Sequence, residues 1–458
     1  MAKIYSINPR TEQIIGVIPE STILEVDEKI TNAKSAFESW ANLSLHERIG
    51  FLEKISKKLE QNKTELIDII CKEVGKPEAS AQWEVNDAIK SIHYYMNQIQ
   101  SLHKVNIKID EESFKDTKAF IDYTPYGVIG LITPWNYPCC LSFWTIAPAL
   151  LSGNTIVYKP SEYSSFVGRM IYDILDEVLP HNVFNIVIGS KNIGKYLVES
   201  DIDKLFFTGS VNAGHDIVKN IGIKAYSLEL GGKDAFIVCE DADIEMTTGA
   251  AAWGALTNAG QVCTSLERCY VHEDILEKFL DSLIQKVSNL TIGKDIQPLI
   301  SNTQLEKVQS HLEDANNKGC KVLIGGKRAN MHGYFLEPTI LVDVDHSMKI
   351  MKEETFGPIL PIMTFTNEDE AVDLANDSKY GLSATIWTKD IDKGNELSKK
   401  IKVGMAFINE INFSFDGGDY WGGIKESGNK SSESKLMQCL MAKSYVVYSG
   451  SEKRSWWY

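Results

Sequence analysis

From Tyr123 to Tyr158 the chain has no Asp, Glu, Lys or Arg, and this uncharged run of 36 residues most narrows the folds open to it. About 20 apolar residues can span a bilayer as one helix, so length alone would permit a membrane segment. Four prolines interrupt the run, and proline breaks a helix interior. The run therefore predicts two buried strands, 128–133 and 155–159, with a loop and a helix near 141–151 between them. Because loops normally face water, an uncharged loop between buried elements indicates a site.

Composition argues against several classes of protein. The 458 residues include 62 acidic and 47 basic side chains, a net charge of −15. Nucleic acid and anionic membrane surfaces both require a basic face, so neither is expected as a partner. The eight cysteines form no CxxC pair, which predicts neither a metal site nor a disulfide scaffold. The first residues lack the apolar stretch of a signal peptide, so we expect reduced thiols in a cytoplasmic protein.

The order of patterns predicts an α/β protein. Apolar positions three and four apart over 24–101 predict amphipathic helices, and the alternation within 104–122 predicts a hairpin with one wet face. Short apolar runs, among them 335–341, then alternate with helical stretches in two series, 128–238 and 268–408. This alternation is typical of parallel sheets, so two α/β domains are expected. The tail 443–448 predicts one more strand, which extends the hairpin within the chain or across a subunit edge.

Two predicted strand ends carry residues suited to a dinucleotide. Gly209 and Ser210 stand between a strand and a helix, and the amides at a helix start suit a phosphate. Lys159, Ser161 and Glu162 follow another strand. Lysine and glutamate there can bind ribose hydroxyls, and the acid disfavours a 2′-phosphate. Each motif alone fits an ordinary solvated turn equally well.

Three further segments carry groups that could react or bind. Glu229 lies between two leucines and before two glycines, and an acid in apolar surroundings can serve as a general base. Cys263 lies among small and polar residues, and it becomes a nucleophile if helix amides or a cofactor lower its pKa. Glu354 and Phe356 precede a Gly-Pro turn and suit a polar ring system. The alternatives are an exposed strand end, an inert packed thiol and a plain turn.

Together these segments resemble the aldehyde dehydrogenase superfamily across nearly the whole chain. They occur in the family's order, and the 34 positions from Glu229 to Cys263 fit its spacing. The matching segments are Pro-Trp-Asn-Tyr-Pro at 134–138, Lys-Pro-Ser-Glu at 159–162, Phe-Thr-Gly-Ser at 207–210, Leu-Glu-Leu-Gly-Gly-Lys at 228–233, Gly-Gln-Val-Cys at 260–263 and Glu-Thr-Phe-Gly-Pro at 354–358.

The resemblance implies an α/β fold of the aldehyde dehydrogenase type, with a Rossmann-type cofactor domain, an α/β catalytic domain and a β-hairpin oligomerisation element. The cofactor domain is expected at 1–103 and 126–229, and the catalytic domain at 230–428. The oligomerisation element is expected at 104–125 and 429–458. A homodimer or homotetramer follows from the same resemblance.

The implied reaction is oxidation of an aldehyde to the carboxylic acid with hydride transfer to NAD(P)+. Cys263 attacks the aldehyde and forms a thiohemiacetal, whose oxyanion the Asn136 side chain and the Cys263 N–H hold. Glu229 then activates the water that hydrolyses the thioester. NAD is the expected cofactor and NADP the alternative, with no metal. The implied cofactor contacts are Trp135, Lys159, Ser161, Glu162, Gly209, Ser210, Leu230, Glu354 and Phe356.

The substrate is less constrained, because the chain departs from common family patterns. Tyr420-Trp421 stands where many members have Pro-Phe, and Ala213 replaces a branched residue in the phosphate turn. The N-terminal segment 6–11 and the short length resemble bacterial succinate-semialdehyde dehydrogenases, yet Trp144 stands where that subgroup commonly has arginine.

The aromatic residues near these positions therefore predict that the substrate site is an aromatic tunnel. An aromatic tunnel suits a neutral, apolar or aromatic aldehyde, with succinate semialdehyde as the alternative. The expected lining is Tyr137, Trp144, Val262, Thr264, Phe413, Phe415 and Trp421. A non-enzymatic binding or structural role, or transfer of the thioester to coenzyme A, is disfavoured because Cys263, Glu229 and Asn136 are all present.

Overall fold

The computed structural model describes residues 2–102, 104–110, 114–411, 417–429, 431, 433–454 and 456. The N-terminal part begins with a small antiparallel ribbon, which the sequence did not predict, and continues with the predicted helices. Capping boxes at Thr22 and Ser44 start the first two helices, because each side chain accepts from a backbone N–H three residues later. The elements are β1 (Lys3–Ile7), β2 (Ile14–Pro19), α1 (Ile23–Ala41), α2 (Leu45–Gln61), α3 (Lys63–Val74) and α4 (Glu78–Ile99).

The uncharged run forms the centre of a five-stranded parallel sheet, as predicted. Its two strands are buried along their whole length, and the helix between them is buried almost throughout. In chain order the segment contains β3 (Val105–Ile107), β4 (Thr117–Pro125), β5 (Val128–Ile132), α5 (Cys140–Leu151), β6 (Thr155–Lys159), α6 (Ser165–Asp176), β7 (Phe184–Ile186), α7 (Lys191–Glu199), β8 (Lys204–Thr208), α8 (Val211–Asn220) and β9 (Ala225–Glu229). The sheet order is β7-β6-β5-β8-β9.

The second predicted α/β series forms a seven-stranded sheet of order β12-β13-β14-β11-β10-β15-β16. Its neighbours are parallel except β12 and β13. The strand expected at 335–341 begins later, at Thr339, because Pro338 has no N–H to give to a ladder. The elements are β10 (Asp234–Val238), α9 (Ile244–Leu256), β11 (Leu266–His272), α10 (Leu276–Ser288), α11 (Asn302–Asn317), β12 (Lys321–Ile324), β13 (Thr339–Val342), α12 (Lys349–Lys352), β14 (Ile359–Phe365), α13 (Glu368–Asn376), β15 (Ser383–Trp387), α14 (Ile391–Lys400) and β16 (Met405–Ile408).

A third sheet joins the C-terminal segment to the hairpin within the same chain. After the short helix α15 (Lys435–Gln438), β17 (Leu440–Tyr448) pairs antiparallel with β4 over nine positions, from Leu440 opposite Pro125 to Tyr448 opposite Thr117. The sheet order is β17-β4-β3. The predicted terminal strand is therefore correct in type and longer than expected.

The two large sheets bring their strand ends together around the uncharged loop. β5, β6, β8 and β9 end on one side of the loop, and the turn before β11 lies on the other. Ligands of open parallel sheets bind beyond the carboxyl ends of the strands. Across the described part of the chain, every helix is too short or too polar to span a bilayer.

Candidate active site

An outer cavity of about 320 Å³ lies beyond the ends of β6 and β8. Its lining includes Lys159, Ser161 and Glu162, together with apolar side chains such as Val198 and Ile217. The Lys159 Nζ is 4.0 Å from Glu162 Oε2. Burial lowers the pKa of Lys159, and Glu162 opposes that shift. The cavity thus combines apolar walls for a flat ring with a charged pair for hydroxyl groups.

The N-terminus of α8 opens on this cavity. The Ser210 side chain accepts a hydrogen bond from the Ala213 N–H at 3.3 Å and caps the helix. At Gly209 a Cβ atom would stand 2.5 Å from the Phe207 ring, so this turn has no room for a side chain. Helix N-termini attract anions, and these residues therefore suit a phosphate group.

A middle cavity of about 170 Å³ continues inward from the outer one. The Glu354 Oε1 accepts from the Gly232 N–H at 3.3 Å, and a Cβ on Gly231 would collide with the same carboxyl. Burial raises the pKa of Glu354 to about 7. Trp135 and Phe356 meet edge to face at 5.6 Å between ring centroids. The predicted residue Leu230 also lines this cavity.

The two cavities fit a dinucleotide. All nine residues predicted to contact the cofactor line one or both of them. Gly209, Ser210 and Trp135 line both cavities, so the pyrophosphate is expected where the two cavities meet. The polar residues of the outer cavity lie on one side of this point, and Glu354 with Gly231 lies on the other. Hydroxyl, carboxylate, lysine and helix-amide groups are the donors and acceptors that such a molecule needs.

Cys263 follows a tight turn at the inner end of the middle cavity. Asn258, Ala259 and Gly260 have φ values of 53°, 54° and 70°, and the first two are in a region that non-glycine residues rarely adopt. The buried Gln261 side chain holds the turn. Its amide donates to Asn258 O at 3.0 Å, and its Oε1 accepts from the Ile300 N–H at 2.8 Å. Cys263 therefore follows a strained backbone turn that a buried side chain supports.

The thiol of Cys263 is not activated by its surroundings alone. Burial raises its pKa above the ordinary value, and the carboxyl groups of Asp234, Glu354 and Glu229 add to the shift. Cys263 stands between a 3-10 turn and β11 rather than at a helix start. The sequence interpretation allowed helix amides to lower this pKa, and in the folded chain burial has the opposite effect.

Asn136 lies in the middle of the uncharged loop between β5 and α5 and lines the same cavity as Cys263. Its side chain is buried, and Nδ2 donates to the Gln261 carbonyl at 3.1 Å. Asn258 Nδ2 donates to the same carbonyl at 2.9 Å. An amide nitrogen carries two hydrogens, so Asn136 retains a second donor for a substrate oxygen.

Glu229 ends β9 and lines the same cavity as Cys263 and Asn136. Its Oε1 is 3.5 Å from the Nζ of Lys435, which α15 brings from the C-terminal segment. Both side chains are largely buried, at 11% and 5% exposure. Lys435 was not expected from the sequence, because its partner lies 206 positions away.

A third cavity of about 300 Å³ opens on the other side of Cys263. It has the aromatic character predicted for the substrate tunnel. The ring centroids of Trp144 and Trp421 are 5.5 Å apart. Trp83 packs edge to face on Tyr137 with 6.1 Å between their ring centroids. Val262 and Thr264 line it as predicted. Phe413 and Phe415 lie outside the described residues.

The sequence interpretation missed several lining residues, among them two tryptophans and a lysine. Trp83 and Trp253 belong to α4 and α9, and Lys76 stands just before α4. The Lys76 Nζ is paired with the buried Glu84 and stands 3.5 Å over the Tyr137 ring. Helical spacing places Trp83 near Ala79 and Ser80 on one face, and this was the available signal.

Known proteins resemble this chain over nearly its whole length. The sequence profile described as the aldehyde dehydrogenase family matches residues 2–445. A peroxisomal aminoaldehyde dehydrogenase of Pisum sativum is 36% identical, over 99% of this chain and 94% of its own. A chloroplastic betaine aldehyde dehydrogenase of Amaranthus hypochondriacus is 36% identical, over 93% and 88%.

Solved structures agree in fold over the whole chain. Betaine aldehyde dehydrogenase of Staphylococcus aureus, in complex with NAD+, superposes with a TM-score of 0.94 at 30% identity. The match covers 100% of this chain and 94% of that one. Lactaldehyde dehydrogenase of Escherichia coli gives a TM-score of 0.94 at 34% identity, over 98% and 96%.

Proposed function

The chain belongs to the aldehyde dehydrogenase family, and we propose that it oxidises an aldehyde to the carboxylic acid with Cys263 as the nucleophile. One observation carries the proposal. Cys263 lines both the aromatic cavity and the polar cavity that fits the inner half of a dinucleotide. A thiol at this junction reaches an aldehyde from one side while the hydride acceptor stands on the other.

The first half of the reaction takes place on the Cys263 sulfur. The Cys263 thiol gives its proton to solvent water, and the sulfur attacks the aldehyde carbon while the C=O π electrons move to the oxygen, which gives a thiohemiacetal oxyanion. The Asn136 amide and the Cys263 N–H stabilise that oxygen, and one such donor is worth on the order of 10²–10³ in rate in other enzymes. The bound dinucleotide supplies the acceptor for the hydride, and oxidation of the adduct leaves a thioester on Cys263.

The second half belongs to Glu229. Its carboxylate accepts a proton from water, and the resulting hydroxide attacks the thioester carbon. The carbon–sulfur bond breaks, the acid leaves, and Cys263 recovers its proton. The Lys435 Nζ, 3.5 Å from Glu229 Oε1, gives this buried carboxyl group a partner of opposite charge.

For the substrate we propose a neutral aldehyde with an apolar or aromatic tail. Trp83, Tyr137, Trp144, Trp253 and Trp421 supply the cavity walls. Succinate semialdehyde is less favoured, since its carboxylate needs a free cation. Among the described lining residues Lys76 is the one cation, and Glu84 already pairs with it.

A cationic aldehyde is the second candidate. Aromatic rings attract ammonium groups, and the Asp87 carboxylate lies behind the wall, where it accepts from Trp144 Nε1 at 2.9 Å. The names of the plant relatives, aminoaldehyde and betaine aldehyde dehydrogenases, agree with this candidate.

We further propose NAD as the preferred cofactor, because Glu162 would repel a 2′-phosphate. The β17 edge, where Val446 is 72% exposed, suits assembly into a dimer or tetramer. We also propose the domain boundaries given above and a cytoplasmic location for the protein.

Replacement of the nucleophile tests the mechanism. Cys263→Ala is expected to lower NADH formation on the order of 10³-fold or more, since the covalent intermediate cannot form. Cys320→Ala, at a half-exposed thiol away from the cavities, is the matched control. Undiminished turnover by Cys263→Ala would exclude the mechanism.

An aldehyde panel tests the substrate. Hexanal and benzaldehyde should give a higher kcat/KM than succinate semialdehyde, with NAD and NADP each assayed. A clear preference for 4-aminobutyraldehyde would select the cationic candidate. A preference for succinate semialdehyde would refute the tunnel argument.

A further inference from the structure

A buried ion pair lies directly behind the middle cavity. Lys233 stands four positions after Glu229, and Glu267 stands four positions after Cys263. The Lys233 Nζ donates to Glu267 Oε2 at 2.7 Å, and the two side chains are 0% and 3% exposed. The segments that carry the proposed base and the proposed nucleophile are therefore tied together behind the cavity.

The same carboxylate holds the loop that carries Glu354. The Thr355 N–H donates to Glu267 Oε2 at 2.7 Å, and the Phe356 N–H donates to Oε1 at 2.8 Å. The Lys233 Nζ also donates to Thr355 Oγ1 at 2.9 Å. We name Lys233, Glu267 and Thr355 the clamp.

The loop needs such support, because its backbone is strained. Phe356 has a φ of 56°, which a bulky residue rarely adopts. From the opposite side, the Gln304 amide donates to the carbonyls of Thr355 and Phe356 at 3.1 and 2.9 Å. Both N–H groups and both carbonyls of this dipeptide are therefore fixed by side chains.

Stability alone does not account for the pair. Desolvation of two charges largely cancels their attraction, and an apolar pair of similar volume is often as stable. Burial lowers the pKa of Lys233, while Glu267 opposes the shift. What an apolar pair cannot supply is a carboxylate for two backbone donors.

We propose that the clamp is a positioning device that fixes Glu354 and Phe356 for the nicotinamide half of the cofactor, in register with Glu229 and Cys263. This inference rests on the proposed function, in which Glu354 and Phe356 contact that half. Lys233 and Glu267 are positioning residues, since they act through the loop and through the segments that follow the catalytic side chains.

The test is the double variant Lys233→Met/Glu267→Met in the full chain. It leaves no unpaired buried charge, so the fold should be retained. In the cofactor-free protein, the Thr355 and Phe356 amides should exchange hydrogen at least several-fold faster, because their acceptor is gone. The KM for NAD+ should rise on the order of 10- to 100-fold, the size expected for a misplaced binding group.

A structural role alone would give a different pattern. The control Lys393→Met breaks the partly buried pair with Asp241 away from the loop, and it should leave the exchange rates and the KM unchanged. A clamp variant with a lower Tm but unchanged amide exchange and unchanged KM for NAD+ would overturn the inference. If the double variant does not fold, Lys233→Met/Glu267→Gln decides by the same two readouts, since it keeps the shape of the Glu267 side chain and leaves no buried charge without a partner.

Glu354→Gln separates this inference from the proposed function. If Glu354→Gln leaves the KM for NAD+ unchanged, the proposed cofactor contact is wrong and the clamp loses its purpose. If Glu354→Gln raises that KM while the folded clamp variant does not, the proposed contact stands and the clamp inference is wrong.

Discussion

The two sides of Cys263 are built in different ways. On the cofactor side, short motifs at strand ends supply the lining, and glycines at 209 and 231 leave room for close approach. On the substrate side, bulky rings arrive from α4, α5, α9 and the segment before α15. Polar groups in fixed positions suit one invariant ligand, whereas packed rings can change with the aldehyde while the chemistry is retained.

In this comparison the largest effect should come from the proposed base, which lines the cofactor-side cavity together with Cys263. Glu229→Gln removes the proposed base but not the nucleophile, so the first turnover should still produce NADH. Steady-state turnover should fall on the order of 10²–10⁴-fold, the range of general base catalysis. Rapid-mixing kinetics should show a burst followed by slow release of acid. A variant without any burst would place Glu229 before the hydride step and contradict its assignment.

The reactivity of the Cys263 thiol is expected to depend on pH by nearly as large a factor. Because the pKa of this thiol is raised, the thiolate fraction is small at neutral pH and grows as pH rises. Alkylation of the cofactor-free protein by iodoacetamide should therefore accelerate about tenfold per pH unit from pH 7 to 9. Peptide mass spectrometry can follow Cys263, with Cys320 as the internal comparison. A rate that is already constant at pH 7 would show that the pKa is low.

Sequence reasoning reached the residues that line the cavities wherever a motif is local in the chain. Gly209, Glu229, Cys263 and Glu354 each lie within a short motif, and backbone geometry at a strand end places them. The buried strands β5 and β6 were predicted because an uncharged run has few ways to fold.

What the sequence could not show depends on distant pairing. Lys435 reaches Glu229 from 206 positions away, and Trp83 of α4 meets Tyr137 of the loop before α5. The ribbon of β1 and β2 has mostly exposed side chains, and its buried Ser6 donates a hydrogen bond to Glu73 of α3. Local patterns do not encode such contacts, since tertiary packing decides them.

The substrate side should respond selectively to loss of a ring. Trp83→Ala, at the 38% exposed rim, is expected to raise the KM for hexanal about tenfold while leaving the KM for NAD+ unchanged. Steady-state kinetics with each ligand varied in turn would measure both constants. Trp456→Ala removes an exposed ring outside the cavity and should change neither. Equal changes in both constants would mean that the two sides are not independent.

The smallest effect should lie at the outer cavity. Glu162→Gln removes a charge that would repel a 2′-phosphate, so kcat/KM with NADP should rise a few-fold relative to NAD. The effect is limited because the Glu162 side chain is 38% exposed and solvent screens its charge. Asp173→Asn on α6 is the surface control. If the ratio of kcat/KM with NADP to kcat/KM with NAD does not change, Glu162 does not determine the cofactor preference.

The pairing of β17 with β4 has a consequence for biosynthesis. Thr124 and Met441 are hydrogen-bonded although 317 positions separate them. While the ribosome is still making the second sheet, β4 can pair with β3, but β17 has not yet been synthesised. Glu229 likewise lacks Lys435 at that stage. Contacts of such long range form late and slowly. The growing chain therefore carries an exposed strand edge for most of its synthesis, and chaperones have the longest access to it there.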